Sequence, residues 1–303
     1  MAVIDMSEIF QMTNVGAHID ATDVYNSNPN LLDNAWFTDG AVVNQRGVTS
    51  GDYATGVYRM DRWYTSYGAN TTGRWELSNQ GLTMDLVGYS NSRGWFVQNL
   101  DNPSRLVGKT VTGSIMMSDG TIYSGTGVVS SSPTTLTYFC IYPDFQIYYS
   151  TQYGFNIVCN KDYTITVKAV KLELGPYSTL ANDVPPDWDM TLEKCLWKFE
   201  RIKVGGLVSA IGFGFADTTN KLYALVKCHP KAKSVTVTLT GQLYCGRGAL
   251  LEIPVVLEGV YVQIPNSGLL TLQVSPPNNQ FVANQIYRFG LGSNAYIDIS
   301  ADI

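Results

Sequence analysis

The sequence predicts a mainly β protein: a β-sandwich, then a short helix and a second antiparallel β domain. Three observations carry this. Tyrosine (19 residues) and glycine (28 residues) are abundant among many Ser, Thr and Asn residues; Tyr and Thr suit a pleated surface, and Gly supplies the turns. From Asn30 onward, short apolar runs are split by clusters of Gly, Asn, Asp and Ser, the punctuation of an all-β sandwich. In the last third the alternation is strict. Val235, Val237 and Leu239 interleave with threonines, Val260, Val262 and Ile264 with Tyr261 and Gln263, and Leu270, Leu272 and Val274 with Thr271 and Gln273. A period of two marks half-buried antiparallel strands.

A chain of 303 residues exceeds one ordinary domain of roughly 100 to 150 residues and accommodates two. The expected division is an N-terminal arm over 1–29, a sandwich over 30–176, a linker and helix over 177–204, and the second β domain over 205–303. In the arm, Ile4, Met6, Ile9, Phe10 and Met12 have loosely helical spacing, which suits a docking segment as well as a frayed terminus. In the sandwich, Val111, Ile115 and Met117 line one face of a run that reaches Asp119-Gly120, and Thr121-Ile122-Tyr123 follows. Asp-Gly between two such runs predicts a hairpin. Later, Ile165, Val167 and Ala169 share a phase that shifts to Val170, Leu172 and Leu174, which predicts a bulge inside one strand, with Gly175-Pro176 as its stop.

The helix is expected to open on Asp187 as N-cap, with Asp189 and Glu193 near its positive end and Lys198, Arg201 and Lys203 near its negative end. Its apolar stripe, Trp188, Leu192, Cys195, Phe199 and Ile202, steps by four and three. That spacing fits either a helix laid on a sheet or an oligomer seam between copies.

Composition narrows the function classes. The net charge is −5 and no basic run exists, so a phosphate-tracking nucleic-acid surface is not expected. Only 15% of residues are charged, against roughly 25% in average soluble domains, and a chain that buries surface in an assembly needs less charge. No run of 18 apolar residues and no basic, then apolar, N-terminal region occurs, so neither a membrane span nor a signal peptide is expected. The five cysteines include no C-x-x-C pair, which fits buried thiols in a reducing cytosol.

Catalytic chemistry finds little to stand on. His18 and His229 are the two histidines, each isolated from a second His or a cysteine pair, and no G-x-S-x-G elbow occurs. Gly108-Lys109-Thr110 resembles the end of a phosphate loop, but Pro103 stands where the first glycine belongs, so a turn into the Val111 strand is expected. Asn70-Thr71-Thr72 is a formal sequon read as a loop. The expectation is therefore no enzyme, no catalytic residue and no metal centre.

What stands out is aromatic: Trp63-Tyr64, Tyr67, Trp75, Trp95-Phe96 and Tyr148-Tyr149 fall among Asn, Gln, Ser and Arg. Aromatic faces stack on the apolar face of sugars while amides and guanidinium groups bind hydroxyls, so Trp63, Tyr64, Trp75 and Trp95 are candidate glycan-binding residues. Packing of the sandwich interior is the competing role.

Several ordered blocks resemble the tail-fibre and tail-tip appendage proteins of phages and prophages. They are Asn30 to Phe37 with Trp36, Val43-Asn44-Gln45-Arg46-Gly47, Tyr58, Asp61-Arg62-Trp63, Asn102-Pro103 through Lys109, Lys171-Leu-Glu-Leu-Gly175, and Tyr296 to Ile303. Family members carry an Arg-Cys-x-Arg-Tyr-Phe signature in the helix; here Lys194-Cys195-Leu196-Trp197-Lys198-Phe199 departs from it. The resemblance implies that the sandwich is a jelly roll similar to carbohydrate-binding modules. It also implies a homotrimer on the virion, joined through the 188–202 stripe or the C-terminal domain, with tail or baseplate proteins and host cell-surface polysaccharide as partners. Such a protein is made in the bacterial host cytoplasm. No cofactor is implied, although some similar modules hold a structural calcium ion. The alternatives are a virion adaptor or decoration protein without its own ligand, and a glycan depolymerase built on paired carboxylates.

Overall fold

A computed structural model describes residues 27–67, 73–87, 93–204, 209–231, 235–247, 251–261 and 268–301. The arm over 1–26, His18, the sequon at 70–72, Val262 and Ile264 lie outside the described residues. The chain divides into two compact units. The first runs to Thr191 without Val43–Arg46; the second comprises Val43–Arg46 and Leu192–Ile303.

The first unit contains twelve strands among the described residues: β1 (Ser50–Asp52), β2 (Val57–Met60), β3 (Trp63–Tyr67), β4 (Arg74–Ser78), β5 (Gly81–Asp85), β6 (Arg93–Gln98), β7 (Thr110–Met117), β8 (Ile122–Val128), β9 (Thr137–Ile141), β10 (Phe145–Ser150), β11 (Gly154–Asn160) and β12 (Thr164–Leu174). They form two six-stranded antiparallel sheets, ordered β1-β4-β5-β12-β7-β8 and β2-β3-β6-β11-β10-β9. The chain crosses between sheets six times, from β1 to β2, β3 to β4, β5 to β6, β6 to β7, β8 to β9 and β11 to β12, and so builds a two-layered β-sandwich. Between the sheets, Trp63 meets Phe37 edge-on at 5.3 Å, and Trp75 meets Phe96 edge-on at 5.4 Å.

Local signals act where they were expected. The β7–β8 hairpin turns at Asp119-Gly120: the Thr121 N–H donates to Asp119 Oδ1 at 2.8 Å, and Gly120 takes φ 88°, a conformation that costs glycine little. Gly108-Lys109 forms the turn into β7, with Gly108 at φ 73°. In β12 the register with β7 shifts between Val167 and Ala169. That bulge lets Ile165 and Val167 face the same core as Val170 and Leu172, all of them buried, and it comes before Ala169, which therefore packs on the other face against Trp36 rather than in phase with Val167 as expected.

The helix α1 (Trp188–Leu196) opens as expected, with Asp187 Oδ1 accepting from the backbone N–H of Asp189 (2.9 Å) and Met190 (3.4 Å). It ends sooner than its stripe implies. Phe199–Lys203 forms strand β13, so Phe199 and Ile202 do not continue a helical seam with Trp188, Leu192 and Cys195. The strand wins through non-local pairing with the far end of the chain. Arg201 sits opposite Asp298, and its Nε and Nη2 donate to the two carboxylate oxygens at 2.7 Å each. Cys195 and Phe199 are buried within the fold and offer nothing to a partner copy.

The second unit continues with β14 (Ser209–Thr218), β15 (Lys221–Lys227), β16 (Thr236–Thr240), β17 (Leu243–Gly246), β18 (Ile253–Tyr261), β19 (Leu269–Ser275), β20 (Ile286–Leu291) and β21 (Tyr296–Ser300). Strands β14-β15-β19-β18-β17-β20 close into a barrel, and β13-β21-β16 form a separate three-stranded sheet. The barrel is filled rather than hollow, with Leu222, Leu272, Val274, Tyr287 and Phe289 inside. Residues Val43–Arg46 fasten to β13: Gln45 donates to the Phe199 carbonyl at 3.0 Å, and the Arg46 guanidinium lies over the Phe199 ring at 3.6 Å.

Candidate functional site

Strand alternation sorts the candidate aromatics into two sets. Trp63 and Trp75 point between the sheets and are 0% and 1% exposed. The Trp63 indole N–H donates to the Asn34 carbonyl at 2.8 Å, as a buried Trp requires. Their expected stacking role is corrected accordingly: both rings are covered by core side chains, and no sugar reaches them. Tyr64 and Trp95, one position away from Trp63 and Phe96, have the opposite phase and stand half-buried on the outer face of the second sheet.

Cross-strand register extends that face into a band. Tyr58 sits opposite Tyr64 with rings 5.4 Å apart, Tyr64 opposite Val97, Val97 opposite Asn156, Asn156 opposite Tyr148, and Tyr148 opposite Tyr138 with rings 5.3 Å apart. A second row carries Ser66, Trp95, Val158 and Gln146. The band thus spans all six strands of a sheet whose other face is the core, which makes it rigid. Trp95 is hydrogen-bonded to Tyr148, and Asn99 to Tyr64. Burial raises the Tyr148 phenol above its ordinary value, with Trp95 and Arg93 pulling the other way; burial likewise raises Tyr64 against the Asn99 hydrogen bond. Both phenols are therefore neutral hydroxyls, able to donate and accept.

The outer face of the first sheet is built differently. One end is closed by Trp36, Ala41 and Leu180 packed on Ala169. Beside them Lys171 and Glu173 are wholly buried. The Lys171 ammonium reaches Thr179 Oγ1 and the Asp183 carboxylate at 2.7 Å each, while Glu173 accepts from the Thr179 N–H (2.8 Å) and hydroxyl (2.6 Å). These charges fasten residues 176–183 across the sheet. At the uncovered end a cleft of about 290 Å³ is lined by Ser50, Arg74, Glu76, Thr83, Asp85 and Thr164. Thr164 donates to Asp85 at 2.9 Å. Trp75 also borders the cleft but is only 1% exposed, so charges and hydroxyls dominate its lining and it offers no open stacking surface like that of the second sheet.

Arg62, at φ 73°, joins Asp33 (3.1 Å) and Asp101 (3.2 Å) at one end of the sandwich. His229 contacts Glu193 at 2.7 Å and packs edge-on against Trp197. Burial pushes the thiols of Cys159 and Cys245 up to about 12 and that of Cys140 to about 11, leaving them protonated and unreactive. Among the described residues no group of three or more His, Cys, Asp or Glu gathers to hold a metal. Among the described residues no helix is long and apolar enough to cross a membrane.

The outer band contains Val97, Asn156 and Tyr138, which sequence reading did not single out. Only the strand register brings them beside Tyr64 and Trp95. No described protein family matches the chain, and no curated protein is similar to it.

Proposed function

We propose that this chain is a component of a phage tail fibre or receptor-binding apparatus, and that it attaches to host-surface glycan through the outer face of the second sheet. One observation carries the reading. Half-open aromatic rings, Tyr64, Trp95, Tyr148 and Tyr138, share a rigid sheet face over a buried floor that includes Val97 and Val158, the kind of stacking surface that sugar rings require. The ordered sequence blocks support the virion role, and a two-layered β-sandwich suits a carbohydrate-binding module. Single stacking contacts are weak, so several copies on one particle, as a homotrimer supplies, would multiply them. No catalysis is required of such a protein.

A glycan array probed with the purified chain tests this. Binding to a host cell-wall polysaccharide that disappears in the Tyr64→Ala/Trp95→Ala double variant is expected. Silence against host polysaccharides would remove the receptor role and leave that of a virion adaptor.

A further inference from the structure

The barrel carries an apolar face that its own fold does not use. On the adjacent strands β15, β14 and β20, Leu225 pairs with Phe213 and Phe213 with Arg288, while Tyr223 pairs with Phe215 and Phe215 with Ile286. Side chains opposite one another share a sheet face, so these residues form one block. Phe213 is 62% exposed, Phe215 46%, Leu225 46% and Ile286 68%. Strand neighbours of these residues, Leu222, Ala224, Tyr287 and Phe289, point into the packed interior, so the block lies wholly outside the barrel core. A bilayer is not its partner. The barrel interior is apolar, and exposed Lys221 and Lys227 interrupt the outer face of β15 itself, whereas a membrane barrel has a continuous apolar band outside.

We propose that this face is where a second copy of the chain docks, and that it takes the place of the seam which strand β13 denies to the helix. The exposed parts of the block offer on the order of 400 Å² of apolar surface, about half of the roughly 800 Å² each partner buries in a standard interface. Its composition, aromatic at the centre, is that of an interface core. Lys227 lies at one end and Asp217 with Lys221 at the other. A rim of both signs lets copies pack here without uniform like-charge repulsion. The barrel is closed and has no free strand edge, so association must proceed by packing of this face rather than by strand addition. The 15% charged content of the whole chain fits a protein that is not solvated as single copies.

This deepens the multi-copy element of the function proposed above and rests on it. Sedimentation velocity of the full chain over a wide dilution series is the test, with three variants: Phe213→Asp/Phe215→Asp, Ile286→Lys, and Val256→Asp as control. Val256 is also exposed but lies on β18, beyond β19. The wild type and the control are expected to sediment as a multiple of the chain mass, and the other two variants as single chains with unchanged circular dichroism. A wild type that is a single chain at every concentration overturns the proposal, as does a folded Phe213→Asp/Phe215→Asp protein of wild-type mass. Glycan binding by the second sheet is read separately on the array, so loss of one result leaves the other standing.

Discussion

On the outer face of the first sheet two charged side chains, Lys171 and Glu173, are sealed from water, whereas on the outer face of the second sheet Tyr64, Trp95 and Tyr148 remain half open to it. Residue type alone would assign these positions the other way round. What decides is whether a later segment returns to cover the face. Residues 176–183 do so over the first sheet, and buried charges are tolerable there because each is met by hydroxyls or an opposite charge at hydrogen-bonding distance. On the second sheet the Tyr64, Trp95 and Tyr148 rings stay half open, over a floor of buried Val97, Gln146, Asn156 and Val158.

The largest effect that would break this contrast is expected inside the sandwich. Trp63→Ala should cost about 3–5 kcal/mol of stability, because it leaves a cavity beside Phe37 and removes the indole donor to the Asn34 carbonyl, whereas Trp95→Ala should stay within about 1 kcal/mol. Urea unfolding of both variants measures the difference; equal losses would mean that the band is core. Next, Lys171→Ala should cost about 3 kcal/mol by leaving Glu173 buried without its cation, and Lys171→Met/Glu173→Leu should recover most of that loss. Thermal melts of the two variants distinguish a network that stabilises from one that merely avoids a penalty.

On the open face, Trp95→Ala should weaken glycan binding about tenfold, or about 1.4 kcal/mol, and Trp75→Phe, hidden in the core, should leave affinity unchanged in a folded protein. Titration calorimetry with an array-positive glycan reads both. The smallest effect concerns pH. The folded thiols of Cys159 and Cys245 are raised from 9.0 to about 12, so above pH 9 the unfolded chain releases protons that the folded chain retains. Stability should be unaffected by these groups below pH 9 and fall above it, by about 1.4 kcal/mol per thiol one pH unit higher. Chemical denaturation across that range, repeated with Cys245→Ala, isolates one thiol; an unchanged slope would contradict its burial.

Much of the fold was legible because its signals are local. Asp119-Gly120, the phase change in β12 and the Asp187 cap each act within a few residues, and each does what its chemistry predicts. The end of α1 was not legible, since Phe199 and Ile202 satisfy a helical stripe as well as a strand. Pairing with Tyr296–Ser300, almost a hundred residues away, decides between them. The site was half legible for a similar reason. In Trp63-Tyr64 and Trp95-Phe96 adjacent aromatics must face opposite ways, but only the register with β11 and the other strands says which one looks outward.

The bulge in β12 bears on how the length of this chain can change. Lys168 is the extra residue between Val167 and Ala169, so its removal would straighten the strand yet keep Ile165 and Val167 on the same side as Val170 and Leu172. Removal of Thr166 or Leu172 would instead turn one half of the strand inside out, exposing its apolar residues or driving Lys171 towards the core. Along this strand, loss of a residue is survivable only where the chain already carries a spare one.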